Sequence, residues 1–426
     1  MIVQKAFKYR FFPSDSQAAQ LARTFGCARF VYNQALEFRS RAWQQEKKSI
    51  GYHDTALKLT AWKQEPEKSF LSEVSSVVLQ QSLRNLDTAF TNFFEKRAQS
   101  PKFKSRRHRQ SARYANNAFT FRDGRIILAK QSEPLDIVWS RPLPDDAKIL
   151  NLTISRDTSD RYFVSILVET DVKPLKKTKA EVGVDVGIKT LAVTSEGEKI
   201  ENPRPLIKCE KRLRILQRRL SRKVRGSNNR KKARFKVAKL HARISDTRRD
   251  TLQKFTTKII RENQAIYVEG LNVAGMVKNH NLAKHIADAA FGEIFRELEY
   301  KAGWYGRIYL PLDRFFPSSK LCSSCGHLLD ELPLSVREWD CPGCGAHHDR
   351  DINAAINIKK AGQHLLKWLK ATGSGARKVT PTRNERRRWS VGIPRHNAVA
   401  FGGGRMSMGC GSVVLSSRAS TCTTGL

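Results

Sequence analysis

Acid is scarce in this chain. Its 40 Asp and Glu stand against 78 Lys and Arg, a formal charge of +38 over 426 residues. A charge that lopsided repels itself unless something anionic neutralises it, so phosphate backbones or an anionic membrane surface are the expected partners. Long apolar runs are missing too. No stretch reaches roughly 18 apolar residues, which excludes an integral helical membrane protein, and MIVQKAFKYRFFP lacks the unbroken apolar core of a signal peptide. A reducing cytosol is the expected compartment. Cysteine is sparse: eight in a chain this long are too few for a disulfide framework, and four of them sit in two tight pairs, which points to metal. No repeat array is visible.

What is present suffices for two or three domains, since 40% of the residues are hydrophobic. Val3, Phe7, Tyr9 and Phe11 interleave with Lys5 and predict a short strand that stops at Pro13. Ser14 with Gln17 reads as a capping box, and the apolar residues after it, broken at Gly26, predict two consecutive helices ending near Gln44. Leu79, Leu83, Leu86, Phe90 and Phe93 share one face of a third helix, an ordinary bundle core. From about Phe119 to Val172 the period becomes two, with Leu150, Leu152 and Ile154, then Tyr162, Val164 and Ile166, flanking the turn residues Asp157 to Asp160.

Glu181 to Ile200 reads as strand, turn, strand. Two long helices follow, one carrying Leu213, Leu216, Leu220 and Val224, the other Leu240, Ile244, Thr247, Phe255 and Ile259, with a break at Gly226 to Asn229. A buried strand at Ala265 to Val268, a helix from about Ala287 to Trp304, a strand at Arg307 to Leu310, the cysteine block and a helix from Ile352 complete an α/β pattern. Beyond Thr372 the acid is reduced to Glu385 and no apolar period persists, so residues 372–426 read as a disordered basic tail.

Three features carry chemistry. Cys322-x-x-Cys325 and Cys341-x-x-Cys344, with Gly326 and Gly345 just after each pair, have the spacing of a closed tetrahedral zinc site; an iron–sulfur or redox role is the alternative. Cys27, Cys209, Cys410 and Cys422 are isolated and read as plain thiols. Asp185 ends an apolar strand in Gly-Val-Asp-Val-Gly, where the glycines would let substrate or metal approach the backbone, and Glu269 ends Ala-Ile-Tyr-Val-Glu-Gly. Asp351, with Asp349 beside it, opens the last helix, where an Asp is more often a cap than a ligand. Three carboxylates gathered at strand ends would suit Mg²⁺, with two ions about 4 Å apart acting on a phosphodiester, although spacing alone does not join them. Between Lys208 and Arg249 stand 18 Lys or Arg against Glu210 and Asp246, which predicts a polyanion track. A second cluster, Lys102 to Arg109, has Phe103 within it and Tyr114 nearby, either base-stacking rings or core anchors.

Read together, these motifs resemble the transposon-encoded TnpB family. The residues that carry the resemblance are Gly-Val-Asp-Val-Gly-Ile-Lys, Val-Glu-Gly-Leu-Asn-Val, Phe-Pro-Ser-Ser-Lys-x-Cys-x-x-Cys-Gly, Cys-Pro-x-Cys-Gly and Asp-Arg-Asp-x-Asn-Ala-Ala-x-Asn-Ile, with Tyr9 to Pro13 and Gly26 to Asn33 in the N-terminal region. It spans about residues 5 to 365. The resemblance implies a multidomain α+β protein: a RuvC-like, RNase H-fold nuclease with a zinc-ribbon insertion, preceded by a β-rich wedge domain into which a helical recognition domain is inserted. On that scheme residues 1–13 and 118–175 form the wedge, 14–117 the helical domain with a helix-turn-helix-like start, 176–371 the nuclease and about 315–348 its zinc insertion.

The family's metal ligands would be Asp185, Glu269 and Asp351 for catalytic Mg²⁺, with Asp349 as fallback for the third, and Cys322, Cys325, Cys341 and Cys344 for structural Zn²⁺. The resemblance further implies an RNA-guided DNA endonuclease, Mg²⁺-dependent, with a guide RNA from the transposon end and double-stranded target DNA read beside a short adjacent motif. It implies no membrane partner, a companion transposase linked through shared DNA only, and a cytoplasmic, nucleoid-associated location. The rival expectations are a guided DNA-binding regulator with an idle nuclease and a strand-transfer transposase.

Overall fold

The computed structural model describes residues 1–372; the tail read from the sequence, with Cys410 and Cys422, lies outside the described residues. The expected first strand is β1 (Ile2–Phe12), with Val3, Tyr9 and Phe11 turned into the core. Three helices follow: α1 (Asp15–Glu46), α2 (Tyr52–Gln64) and α3 (Ser76–Phe94). Ser14 caps α1 as the sequence implies, its hydroxyl accepting from the Gln17 amide while the Gln17 side chain accepts from the Ser14 amide at 3.1 Å.

The two helices expected on either side of Gly26 are one. A glycine costs a helix about 1 kcal/mol relative to alanine, too little to break a rod anchored on both sides by buried Leu21, Phe25, Val31, Tyr32 and Leu36. On α3, Leu79, Leu83 and Leu86 are buried against α1 and α2 as expected, while Phe93 at the end of the stripe is exposed.

Next come β2 (Gln110–Ala115), β3 (Phe119–Arg122), β4 (Arg125–Leu128), β5 (Asp136–Val138), β6 (Lys148–Arg156) and β7 (Tyr162–Asp171). β3 and β4 form a separate hairpin. The other four join β1 in an antiparallel sheet of order β2-β6-β7-β1-β5. The β6–β7 hairpin pairs Ile154 with Val164 and Leu152 with Ile166, both pairs fully buried, as the period of two requires. Strand pairing begins earlier than Phe119, because β2 already lies along β6.

The second sheet contains β8 (Glu181–Val186), β9 (Thr190–Thr194) and β10 (Lys199–Glu201). After α4 (Pro205–Ser221) and α5 (Asn228–Glu262) the chain returns as β11 (Ala265–Val268). Then come α6 (Val273–Met276), α7 (His280–Ala289), α8 (Phe291–Tyr305) and β12 (Ile308–Pro311). The order is β10-β9-β8-β11-β12, with β8, β11 and β12 parallel and β9 and β10 antiparallel. Two helix boundaries differ from the sequence reading. α4 ends at Ser221, leaving Val224 exposed in the turn before α5, and Ala290, at φ 54°, breaks the helix expected from Ala287 into α7 and α8.

The short ribbon β13 (Glu338–Asp340) and β14 (His347–Asp349) leads directly into α9 (Arg350–Ala371). α9 lies tight on the second sheet because two glycines leave room for it. A Cβ at Gly183 would stand 2.1 Å from Ala355 O, and one at Gly362 would stand 2.2 Å from the Tyr267 ring. Among the described residues no helix is long and apolar enough to cross a membrane.

Candidate functional site

Parallel pairing of β8 with β11 sets Val184 opposite Val268, so the next residue on each strand, Asp185 and Glu269, emerges side by side at the carboxyl ends. Such ends are where α/β sheets place their sites. Asp351 enters from the first turn of α9. Burial, and after it the negative charges of Glu269 and Asp351, pushes the Asp185 carboxyl well above the usual carboxylate range, against the pull of Arg350 and Arg337. Burial also raises Glu269. The charges of Glu269 and Asp351 thus both bear on Asp185.

Asp349 is differently employed. Its Oδ1 accepts from the backbone amides of Asp351 and Ile352, both at 3.0 Å, and its Oδ2 lies 2.6 Å from Lys199 Nζ. Burial pushes its carboxyl up, but Lys199 and the Ile352 amide outweigh that and hold it below the usual range. Asp349 is thus the helix cap, and of the two it is Asp351 whose charge bears on Asp185. Arg337 Nη1 stands 3.3 Å from Asp351 Oδ1.

At the glycines around these acids the space a side chain would take is filled by the chain itself. Gly183 admits α9, Gly187 approaches Thr190 O, and a Cβ on Gly270 would stand 2.1 Å from Leu312 O. Each is used by the chain's own backbone.

The four cysteines converge. Their sulfurs all lie within 4.8 Å of one another, with Cys322 to Cys344 at 3.7 Å and Cys325 to Cys341 at 3.6 Å. Tetrahedral zinc with Zn–S of about 2.3 Å sets neighbouring sulfurs about 3.8 Å apart, so the thiols fit that ion. Burial pushes the Cys322 thiol up, but the Cys325 amide and His348 Nε2, the latter 3.0 Å away, bring it down to about 6. Among the described residues the three carboxylates do not form a comparably tight group.

Two asparagines of the α9 motif fasten this knuckle to the helix. Asn353 Nδ2 donates to Leu321 O at 2.8 Å and its Oδ1 accepts from the Ser323 amide at 2.9 Å. Asn357 Nδ2 donates to Ser318 O at 2.9 Å and to Leu321 O at 2.6 Å. Sequence reasoning quoted these asparagines only as part of a motif, and it missed His348, Arg337 and Lys199. The one local signal was His347-His348 lying between a cysteine pair and an acid.

The two basic clusters meet across a cleft of ≈ 1430 Å³. Arg106 and Arg107 form one wall, Arg230 and Arg234 of α5 another, and Arg23 and Arg29 of α1, unremarked in the sequence, a third. Cations stand on three sides of the cleft, with no acid in its lining beyond Asp157 and Asp160, a charge balance that suits a polyanion. A smaller cavity of ≈ 560 Å³, lined by Arg10, Arg161, Lys239 and Arg243, is also bordered by Asp160. Of the two rings in doubt, Tyr114 is core and Phe103 is exposed.

Three sequence families match along the chain: one described as "Probable transposase" over residues 164–280, a "Cas12f1-like, TNB domain" over 291–358 and a "Helix-turn-helix domain" over 1–48. The last covers β1 and the uninterrupted α1. A protein of Streptomyces pristinaespiralis named "Putative RNA-guided DNA endonuclease" is 52% identical over 402 residues, covering 92% of this chain and 99% of that one. "Putative RNA-guided DNA endonuclease InsQ" of Escherichia coli (strain K12) is 33% identical over 391 residues, covering 87% and 95%. Among solved structures, a Cas12f1 chain in a complex with sgRNA and target DNA matches with TM-score 0.54 at 13% identity, over 84% of this chain and 99% of that one, a likeness of fold.

Proposed function

The chain belongs to the TnpB family of transposon-encoded proteins, and from that premise we propose that it is an RNA-guided DNA endonuclease. The carboxylates Asp185, Glu269 and Asp351 would hold the divalent cations that promote attack of water on the phosphodiester, and the cationic cleft holds guide RNA and target DNA. The observation that carries the catalytic assignment is the parallel register that brings Asp185 and Glu269 out on adjacent strands, with the charges of Glu269 and Asp351 adding to burial in raising the Asp185 carboxyl. A buried carboxylate with other acids near it is costly unless a cation compensates it, and oxygen donors of this kind suit a hard divalent ion. Two Mg²⁺ ions there would supply an activated water and stabilise the leaving 3′ oxygen.

The chain's own residues do the rest. β8 and β11 fix Asp185 and Glu269 on rigid strands, Asp349 with Lys199 fixes the start of α9, and Asp351 completes the set from the helix. On this reading the second sheet and α9 are an RNase H-type nuclease unit. Residues 315–348 are its zinc insertion, held by Cys322, Cys325, Cys341 and Cys344. The first sheet is the wedge that carries the helical recognition unit α1 to α3. Base pairing with the guide reads sequence, while cations of the cleft read the backbone.

Purification with native flanking DNA followed by sequencing of bound RNA tests the assignment. A discrete RNA running past the transposon end is expected, and cleavage of matching DNA under Mg²⁺ that Asp185→Ala abolishes without loss of that RNA. Random cellular RNA alone would sink the guided reading. A nuclease-idle DNA-binding regulator is the second reading, motivated by the Arg337–Asp351 ion pair, which would compete with a cation for that carboxylate; specific DNA binding with no product under Mg²⁺ or Mn²⁺ would select it.

A further inference from the structure

Phe103 is 62% exposed, yet the chain beside it is pinned. Asn33 of α1 and Lys104 exchange two hydrogen bonds: Asn33 Nδ2 donates to Lys104 O at 3.0 Å, and the Lys104 amide donates to Asn33 Oδ1 at 2.8 Å. Lys104 Nζ also lies over the Tyr32 ring, 3.8 Å from its centroid. The ring of Phe103 is thus presented to water from a fixed backbone and joins no core cluster. Two residues later the same segment, Ser105 to His108, becomes the wall of the cationic cleft.

Position along α1 gives the ring a meaning. Arg29 is the last α1 cation that lines the cleft, and Asn33, which holds Lys104 next to Phe103, is one turn further on, about 6 Å by helical rise or about two nucleotide steps. Exposed Lys102 and Arg106 flank it and can neutralise the phosphates of a strand passing there. Inside a duplex each base already has both faces covered by its neighbours. Only an unpaired or terminal base has a free face for an aromatic ring.

We infer that Phe103 is a stacking platform for an unpaired nucleobase of a strand that leaves the cleft along α1. The inference rests on the reading that the cleft holds nucleic acid. It adds that the cleft's α1 end takes a single strand or a duplex terminus and not continuous duplex.

The test uses the full chain in buffer without added divalent metal and an RNA–DNA duplex with a single-stranded overhang. The overhang carries 2-aminopurine at one position after another and is placed on the RNA strand in one series and on the DNA strand in the other. Stacking on Phe103 is expected to quench one position in one series, which identifies the strand. Phe103→Ala should abolish that quench and weaken binding about tenfold, the loss of one base–aromatic stack, and Phe103→Trp should restore both. Because no charge is removed, the dependence of affinity on salt should stay as in the parent protein. Arg106→Ala, by contrast, should lower it. If Phe103→Ala binds and quenches like the parent while Arg106→Ala weakens binding, the stacking role is overturned and the cleft assignment stands. Parental affinity in both variants would overturn both, and an overhang quenched in neither series would overturn the stacking role.

Discussion

Cys322 Sγ and His348 Nε2 lie 3.0 Å apart and both residues are buried, which ties the first cysteine knuckle to β14, the strand that runs straight into α9 and Asp351. The His348 ring also packs on Trp339 at 4.8 Å. The thiol cluster and Asp351 are therefore ends of one connection. Asn353 and Asn357 reinforce it by holding the chain on both sides of Cys322.

His348→Ala is expected to weaken zinc binding by about 10–100-fold, the usual effect of losing a group that hydrogen-bonds a metal ligand. Cys322→Ser should lose most bound metal and the order of the knuckle with it. Competition with a zinc-binding dye measures the first and metal analysis the second. Parental affinity in His348→Ala would limit that ring to packing against Trp339.

The two adjacent aspartates should separate cleanly. Asp351→Asn is expected to cut DNA cleavage by roughly three decades, as removal of a metal-holding carboxylate worth several kcal/mol would. Asp349→Asn should cost about 1 kcal/mol of stability through the cap and leave most of the cleavage. Single-turnover cleavage with thermal unfolding on the same preparations decides it, and the reverse pattern would exchange their roles.

Gly183→Ala tests the seat of α9. Its Cβ would stand 2.1 Å from Ala355 O and 2.6 Å from the Lys359 amide nitrogen, so the helix must move. A stability loss of about 3 kcal/mol is expected from overpacking, together with slower cleavage, because a shift of about 1 Å at Asp351 can cost about 100-fold. Denaturant titration at parental stability would show that α9 adapts freely.

The cleft should behave as a phosphate site. Each of Arg230→Ala and Arg234→Ala is expected to reduce the slope of log affinity against log salt by about 0.7–0.9. Equilibrium binding at several salt concentrations measures it. Slopes like the parent's would place the phosphates elsewhere.

Asp157, in the β6–β7 turn beside the cleft, supplies a pH signature. Burial pushes its carboxyl up, but Ser159, the Arg161 amide and the Arg161 guanidinium outweigh burial and leave it below the usual value. A carboxyl lowered in the fold stabilises above its unfolded value of about 3.9 and loses that contribution as pH falls through the folded one. Asp157→Asn should therefore lower the melting temperature at pH 7, with the gap to the parent closing on acidification below about pH 4. A gap independent of pH would make the loss steric.

Signals carried by neighbouring residues were legible in the sequence. The period of two from Leu150 to Ile166 gave the β6–β7 hairpin, the Ser14–Gln17 box gave the start of α1, and Leu79, Leu83 and Leu86 gave the buried face of α3. Single-residue punctuation misled at Gly26, where tertiary burial on both sides outweighs one helix-weakening residue, and at Ala290, where a non-glycine takes the left-handed conformation that composition does not announce.

The sequence by itself determined the chemistry that is local: two cysteine pairs whose spacing bends each into a knuckle, acids at the ends of apolar strands, and a +38 charge that demands a polyanion. Only the tertiary structure decided which of these meet. Asp185 and Glu269 become neighbours through the register of β8 and β11, α9 with Asp351 in its first turn lies on that sheet because Gly183 and Gly362 admit it, and Asp349 caps that helix. The two basic clusters likewise become one cleft through the placement of α1 and α5. Residues a few positions apart are joined by fixed backbone geometry, whereas residues far apart are joined by the packing of cores, which no local pattern records.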